Sequence, residues 1–224
     1  MKKIKLLLSG AWQQLSRVKV SSWLLAATAL PLLALFLVDG WMLEHLRFSE
    51  SSPANSAARF LSKWGDFYTG CLIAVALVFV WGIFKKKKNL QTLALAMLLS
   101  GAVAGLTATT LRFFSGRPRP SSQIADGLYG PRFEKNKKGL FLPSYNYNSL
   151  PSAHAATALG TALPALILQP AIGVPLTVAA VAIGWSRLQL ARHNPSDIYI
   201  GFLLGAFLGV AFARAVRSNS KSST

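Results

Sequence analysis

The stretch Ser186-Arg187-Leu188-Gln189-Leu190-Ala191-Arg192-His193-Asn194-Pro195-Ser196-Asp197 contains the last His and the last acidic residue of a 224-residue chain. Asp197 follows His193 by four positions, so one helical turn would bring the two together. A His at that spacing can serve as base or nucleophile, with the carboxylate orienting it. Arg187 adds a planar fork of donors suited to an anion. Apolar runs flank the stretch on both sides, which places this chemistry at a boundary between water and lipid.

Two other segments carry compatible groups. Arg112-Phe113-Phe114-Ser115-Gly116-Arg117-Pro118-Arg119-Pro120 holds three Arg residues, and Arg binds phosphate or carboxylate bidentately. Alone, it also reads as a basic membrane-proximal loop. Leu150-Pro151-Ser152-Ala153-His154 precedes an apolar run. Ser152 is a helix N-cap residue type, and a helix start offers free N–H groups to an anion. Ala153 lets a ligand come close to the backbone, and His154 on the first turn can donate a proton to a leaving group. Its plain alternative is a capped helix with an interfacial His. Together the three segments describe a phosphate site with a nucleophile or base and a general acid.

Metal chemistry is not expected. The three His residues, His45, His154 and His193, show no HExxH spacing, and the single Cys, Cys71, lies in an apolar run. Zinc needs a denser ligand set, and the Arg residues would repel a divalent cation. No cofactor is expected either. His45, beside Glu44, reads as an interfacial surface residue.

The elements that must position these groups are membrane spans. The chain is 52% hydrophobic and 14% charged, with a mean hydropathy of +0.41, where a soluble domain carries about a quarter charged residues. The net charge of +17 suits anionic lipid surfaces or an anionic substrate. The basic residues form no stripe on a soluble module, which argues against nucleic acid. The expected fold is all-α, a polytopic bundle of six transmembrane helices. The spans are Trp23–Leu43, Phe67–Phe84, Leu90–Leu111, Ala153–Gln169, Ile172–Trp185 and Ile198–Ala213. Gly101 and Gly105 suit close helix packing.

Residues 1–22 form a basic cytoplasmic segment, either a helix on the membrane surface or a disordered tail. Residues 23–217 form the membrane domain, and 218–224 a frayed cytoplasmic tail. A short helix is expected around Asn55–Lys63. Arg112–Pro151 is expected to be a long polar loop. The Lys85–Lys88 run and the basic N-terminus place both termini in the cytoplasm by the positive-inside rule. All three polar segments then share the outer membrane face.

The three segments resemble the signature motifs of the type 2 phosphatidic acid phosphatase (PAP2) family. Arg112, six residues, then Arg119-Pro120 is similar to its first motif. Pro151-Ser152-Ala153-His154 is similar to its second, and Ser186-Arg187 through His193 to Asp197 matches its third. Arg112 stands where the family usually has Lys, and Ala153 where it has Gly. The resemblance implies a bacterial inner-membrane lipid phosphatase, multi-pass, with its active site facing the periplasm. It implies a phosphohistidine on His193, oriented by Asp197, with His154 as general acid and base. Arg112, Arg119, Arg187, Ser152 and Ala153 would bind the phosphoryl oxygens. The substrate class is a lipid phosphate: phosphatidate, phosphatidylglycerophosphate, undecaprenyl diphosphate or lipid A 1-phosphate. A phosphotransferase acting on a lipid acceptor, or a non-catalytic protein binding anionic lipid, are the alternatives. No obligate protein partner is evident. Arg117, Arg192 and Lys135–Lys138 receive no assigned role, and Tyr145 and Tyr147 are candidates for the substrate entrance.

Overall fold

The computed structural model describes residues 2–16, 22–135 and 139–221. In chain order they form α1 (Lys2–Ser16), α2 (Ser22–His45), α3 (Pro53–Trp64), α4 (Leu72–Phe84), α5 (Lys88–Ser115), strands β1 (Phe133–Lys135) and β2 (Phe141–Pro143), α6 (Ala153–Leu168), α7 (Pro170–Gln189) and α8 (Pro195–Lys221). A π-helical turn, Phe67–Cys71, leads into α4 and is capped by Asp66, whose Oδ1 accepts from the Thr69 N–H at 2.8 Å. By length and composition, Phe67–Phe84, Lys88–Ser115, Pro170–Gln189 and Pro195–Ser220 can each cross a membrane, and Ala153–Leu168 is a shorter apolar helix. The protein is therefore a multi-pass, all-α membrane protein.

Helix α6 is the centre of the bundle because its sequence is small on nearly every side. Ala155, Ala156, Ala158, Gly160, Thr161, Ala162 and Ala165 are all buried, and α5, α7 and α8 pack around it. Small residues allow the backbones to approach closely, which is how helices associate where apolar burial gives no preference over lipid. A Cβ at Gly101 of α5 would lie 2.1 Å from Thr161 Oγ1, and one at Gly205 of α8 would lie 2.5 Å from the Ala156 carbonyl.

Each expected span falls on an observed helix, but several boundaries differ. Helix α5 runs on to Ser115, so Arg112 sits on its last turn. Helix α8 starts at Pro195 and continues through Lys221, so Ser218–Lys221 are helical and not a frayed tail; residues 222–224 lie outside the described set. Against α8 packs α1, which is helical and not a disordered tail. Its Leu7 and Ala11 are buried against Ala211, Phe212 and Ala215 of α8 and Ala96 of α5, so the last turns of α8 have a packed face. The expected helix near Asn55–Lys63 is α3, opened by Ser52, whose Oγ accepts from Asn55 N–H. The long polar stretch is not wholly irregular: β1 and β2 pair antiparallel with Glu134 opposite Leu142.

The C-terminal ends of α2, α5 and α7 and the N-terminal ends of α6 and α8 meet at one end of the bundle. At the other end, Lys86–Lys88, Gln169, Arg217 and Lys3 line two clefts. Trp41, Trp64 and Trp81 are exposed; the Trp23 side chain is outside the described set.

Candidate active site

Backbone hydrogen bonds stitch the three motif segments together. Gly116 ends α5 in a left-handed conformation (φ 55°), where a Cβ would lie 1.8 Å from the Gly130 carbonyl. Beyond this turn, Arg119 N–H donates to Asn146 O (2.7 Å), Ser149 N–H to Arg117 O (3.0 Å) and Ser121 N–H to Ala191 O (3.0 Å). Ser152 N–H donates to Asp197 O at 2.9 Å, which joins the starts of α6 and α8.

His193 is fully buried at the centre. Its Nδ1 is 2.8 Å from the Ser149 carbonyl. A carbonyl can only accept, so the proton belongs on Nδ1 and the lone pair on Nε2. Nε2 has no hydrogen-bond partner although it is buried. Burial, then the positive field of Arg187, Arg119 and Arg112, holds the imidazole well below its ordinary 6.5, so His193 is neutral. A neutral ring with a fixed tautomer and an open, buried lone pair is suited to attack an electrophile.

Asp197 does not reach His193 directly. The spacing suggests a direct hydrogen bond, but Oδ2 lies 4.0 Å from Nδ1. It accepts instead from Ser149 Oγ (2.6 Å) and Asn194 N–H (2.8 Å). Residues 190–194 are not helical, so the one-turn geometry assumed from the four-residue interval does not hold. Ser149 occupies the intervening place: its carbonyl takes the ring proton and its hydroxyl takes the carboxylate.

The Arg residues separate into two groups. Arg117 is buried and ion-paired with Asp39 (2.9 Å), Asp126 (2.5 Å) and Asp197 (2.8 Å). Burial opposes its charge, but Asp126, Asp197 and Asp39 more than offset this, and its pKa is raised. Arg112, Arg119 and Arg187 make no salt bridge to any carboxylate among the described residues. Arg119 Nε donates to Tyr145 O at 3.0 Å, with its guanidinium 4.1 Å from the Tyr145 ring centroid. Arg187 NH1 donates to Ser62 Oγ of α3. Buried Nε atoms of Arg112 and Arg187 have no partner. All three cations oppose protonation of His193.

His154 stands on the first turn of α6, where it lines a cleft of about 450 Å³ with Arg112, Ala153, Thr157, Asp66, Phe67 and Leu106. Ser152 is fully buried and caps α6 through Ala155 N–H at 3.5 Å. The N–H groups of Ala153 and His154, on the first turn, have no intrahelical acceptor. His45 lies apart, exposed, stacked on Trp41 with Nδ1 2.9 Å from the Trp41 carbonyl. Arg192 donates to Tyr145 OH, Tyr147 packs edge-on against Tyr129, and Lys135 sits over Phe141 in the hairpin. Lys137 and Lys138 are outside the described residues.

Sequence reasoning did not find Asp39, Ser62, Asp126, Ser149 or Ser196. Asp39 did have a signal, as an ionisable residue inside an apolar span is a functional pointer. The two serines at 149 and 196 had none beyond adjacency to the motifs.

The PAP2 superfamily profile matches residues 89–221. A decaprenylphosphoryl-5-phosphoribose phosphatase of Mycobacterium tuberculosis is 30% identical over 156 residues, 69% of this chain and 76% of that one. An undecaprenyl-diphosphatase of Sulfolobus acidocaldarius is 23% identical over 167 residues, covering 73% and 71%. A lipid A 1-phosphatase of Rhizobium johnstonii is 25% identical over 180 residues, covering 73% and 70%. With more than half of its length matched, including all three motif segments, the chain belongs to the PAP2 superfamily and is a metal-independent membrane lipid phosphatase.

Proposed function

We propose that the protein hydrolyses a phosphomonoester or pyrophosphate of a membrane lipid through a phosphohistidine on His193. The observation that carries this reading is the buried Nε2 of His193, without a hydrogen-bond partner, in the field of three Arg residues that have no carboxylate partner among the described residues. In the first step Nε2 attacks phosphorus, the bond to the lipid oxygen breaks, and His154 protonates the departing oxygen. In the second, His154 takes a proton from water, water attacks phosphorus, the N–P bond breaks and phosphate leaves. Asp197, acting through Ser149, holds the ring and offsets its developing positive charge. Arg112, Arg119 and Arg187, with the N–H groups of Ala153 and His154, bind the phosphoryl oxygens and their transition-state charge. Ser152 fixes the start of α6.

The chain crosses the bacterial inner membrane six times, through α2, α4, α5, α6, α7 and α8, with both termini in the cytoplasm and the site facing the periplasm. The Lys-rich opposite end supports this orientation. The hydrocarbon part of the substrate leaves the phosphate site along the cleft that Phe67, Ala102, Gly105 and Leu106 line beside His154. The relatives' substrates are prenyl and lipid A phosphates, and a lipid phosphate of this kind is the substrate class here.

Phosphate release from detergent-dispersed polyprenyl diphosphate, lipid A 1-phosphate, phosphatidate and phosphatidylglycerophosphate, in the presence of chelator, tests the reading. The wild type releases phosphate and carries an acid-labile, alkali-stable phosphoryl label that His193→Ala lacks. Full activity in His193→Ala, or no activity on any of these lipids, would overturn it. Transfer of label to an added lipid alcohol in place of water would make the protein a phosphotransferase.

A further inference from the structure

Helix α2 and the segment after it lie outside the residues that the family profile covers, yet between them they hold both ends of the turn that carries His193. At the far end of that turn, Ser196 donates its backbone N–H to Asp39 Oδ1 at 2.9 Å, and its hydroxyl donates to Asp39 Oδ2. The same hydroxyl accepts from Arg117 NH1 at 2.7 Å, and that nitrogen also donates to Asp197 Oδ1 at 2.8 Å. Arg117 NH2 closes the circuit on Asp39 at 2.9 Å. At the near end, Arg47 Nε donates to the Gln189 carbonyl at 3.1 Å. Phe48 and Gln189 exchange two more hydrogen bonds, from Phe48 N–H to Oε1 (2.9 Å) and from Gln189 Nε2 to Phe48 O (2.8 Å). Asp39, Arg117, Ser196 and Asp197 are all buried, so the contacts among them are shielded from water and orient strongly; those of Arg47 and Phe48 are part-buried.

We propose that Asp39 is a positioning residue for the phosphatase reaction, and that α2 with the segment after it clamps the Gln189–Asp197 turn. This rests on His193 as nucleophile. Asp39 does not touch the phosphate. It fixes Ser196 and Arg117, which fix the Asp197 carboxylate, which holds Ser149 and through it the His193 ring. The lever is short. Four buried groups separate Asp39 from Nε2, and each has its hydrogen bonds set by the next. A misplacement of about 1 Å at a reacting atom can cost about a hundredfold in rate.

Asp39→Asn keeps the shape and removes the charge, and Asp39→Ala removes the acceptor. Both are assayed for kcat and KM on a lipid phosphate in detergent, with the folded fraction taken from thermal unfolding and gel filtration. Trp41→Leu, an exposed change on the same helix, is the control. Expected are a fall in kcat per folded molecule of about tenfold for Asp39→Asn and about a hundredfold for Asp39→Ala. KM stays within about twofold, because the phosphate-binding Arg residues are untouched. Ser196→Ala, which removes only the hydroxyl link, loses kcat by a smaller factor and serves if the Asp39 variants do not fold. An unchanged kcat per folded molecule in Asp39→Asn and Ser196→Ala would overturn the proposal. So would a rise in KM at constant kcat. If His193→Ala is itself active, the underlying mechanism fails, and that result is distinguishable because it does not involve α2.

Discussion

Arg117 and Arg187 are the same residue type and both buried, yet their surroundings are opposite. Arg117 is held by three carboxylates from three separate parts of the chain. Arg187 has one neutral hydroxyl, Ser62 Oγ, and a buried Nε with no partner. Arg112 and Arg119 likewise make no salt bridge to a carboxylate among the described residues, although Arg119 Nε donates to the Tyr145 carbonyl. A buried cation without a counter-charge is costly, and three of them around one histidine are costlier still. The first arrangement needs nothing further. The second is complete only when an anion arrives. What separates the scaffold from the proposed substrate site is therefore charge balance and not residue type.

The largest effect is expected on the scaffold side. Arg117→Met leaves Asp39, Asp126 and Asp197 without their shared cation, and breaking a buried ion pair by removing one partner costs about 3–5 kcal/mol. The measurement is thermal unfolding in detergent, where the variant unfolds well below wild type or fails to accumulate as a folded species. A variant as stable as wild type would mean that the three carboxylates are balanced elsewhere, and the contrast between the two Arg groups would lose its basis.

Arg187→Gln makes the reverse test. Gln can still donate to Ser62, and the change removes one of three mutually repelling cations. Thermal stability without ligand stays level or rises. Activity falls, because one group stabilising the phosphoryl charge is gone. Losing such a donor costs about 10²–10³ in rate. Stability and activity thus move in opposite directions for Arg187→Gln and together for Arg117→Met. If Arg187→Gln were as destabilised as Arg117→Met, Arg187 would belong to the scaffold.

This contrast also marks what a linear sequence can reveal. The six apolar runs, the short helix after the first of them, and the motif residues His154, His193, Asp197 and Arg187 could be read from hydropathy and spacing, because each depends on local pattern. Spacing alone does not rank Arg112, Arg117 and Arg119; only the motif resemblance singles out Arg112 and Arg119. The three lie within eight positions and differ through distant partners, Asp39 of α2, Asp126 and Asp197 of α8 for Arg117 and Tyr145 for Arg119. Ser149 was invisible for the same reason. It intervenes between His193 and Asp197 because the turn after α7 is not helical, and the four-residue interval alone suggested the opposite. The docking of α1 on α8 was equally non-local, since Leu7 and Ala11 show their buried face only once Phe212 and Ala215 are in place.

The smallest expected effect lies in the pH dependence, where it distinguishes the field of the Arg cluster from burial alone. In the proposed mechanism His193 attacks as the neutral ring, so kcat/KM falls as pH drops through its pKa in the free enzyme. Burial and then Arg187, Arg119 and Arg112 hold that pKa well below 6.5, so in wild type this acid limb lies well below pH 6.5. Because the folded protein binds fewer protons here than the unfolded chain, stability also declines as pH falls below 6.5. In Arg187→Gln the largest of the three charge contributions is gone, and the limb moves up toward 6.5. Arg187→Lys keeps the charge and leaves the limb near its wild-type place. A phosphomonoester substrate titrates near pH 6, but that limb belongs to the substrate and stays fixed across the three proteins, so the displacement between variants reports the charge of Arg187 on the two histidines, His193 and His154. A limb that stays in place in Arg187→Gln would assign the neutral state of His193 to burial, and Arg187 would then act on the phosphate without tuning the nucleophile.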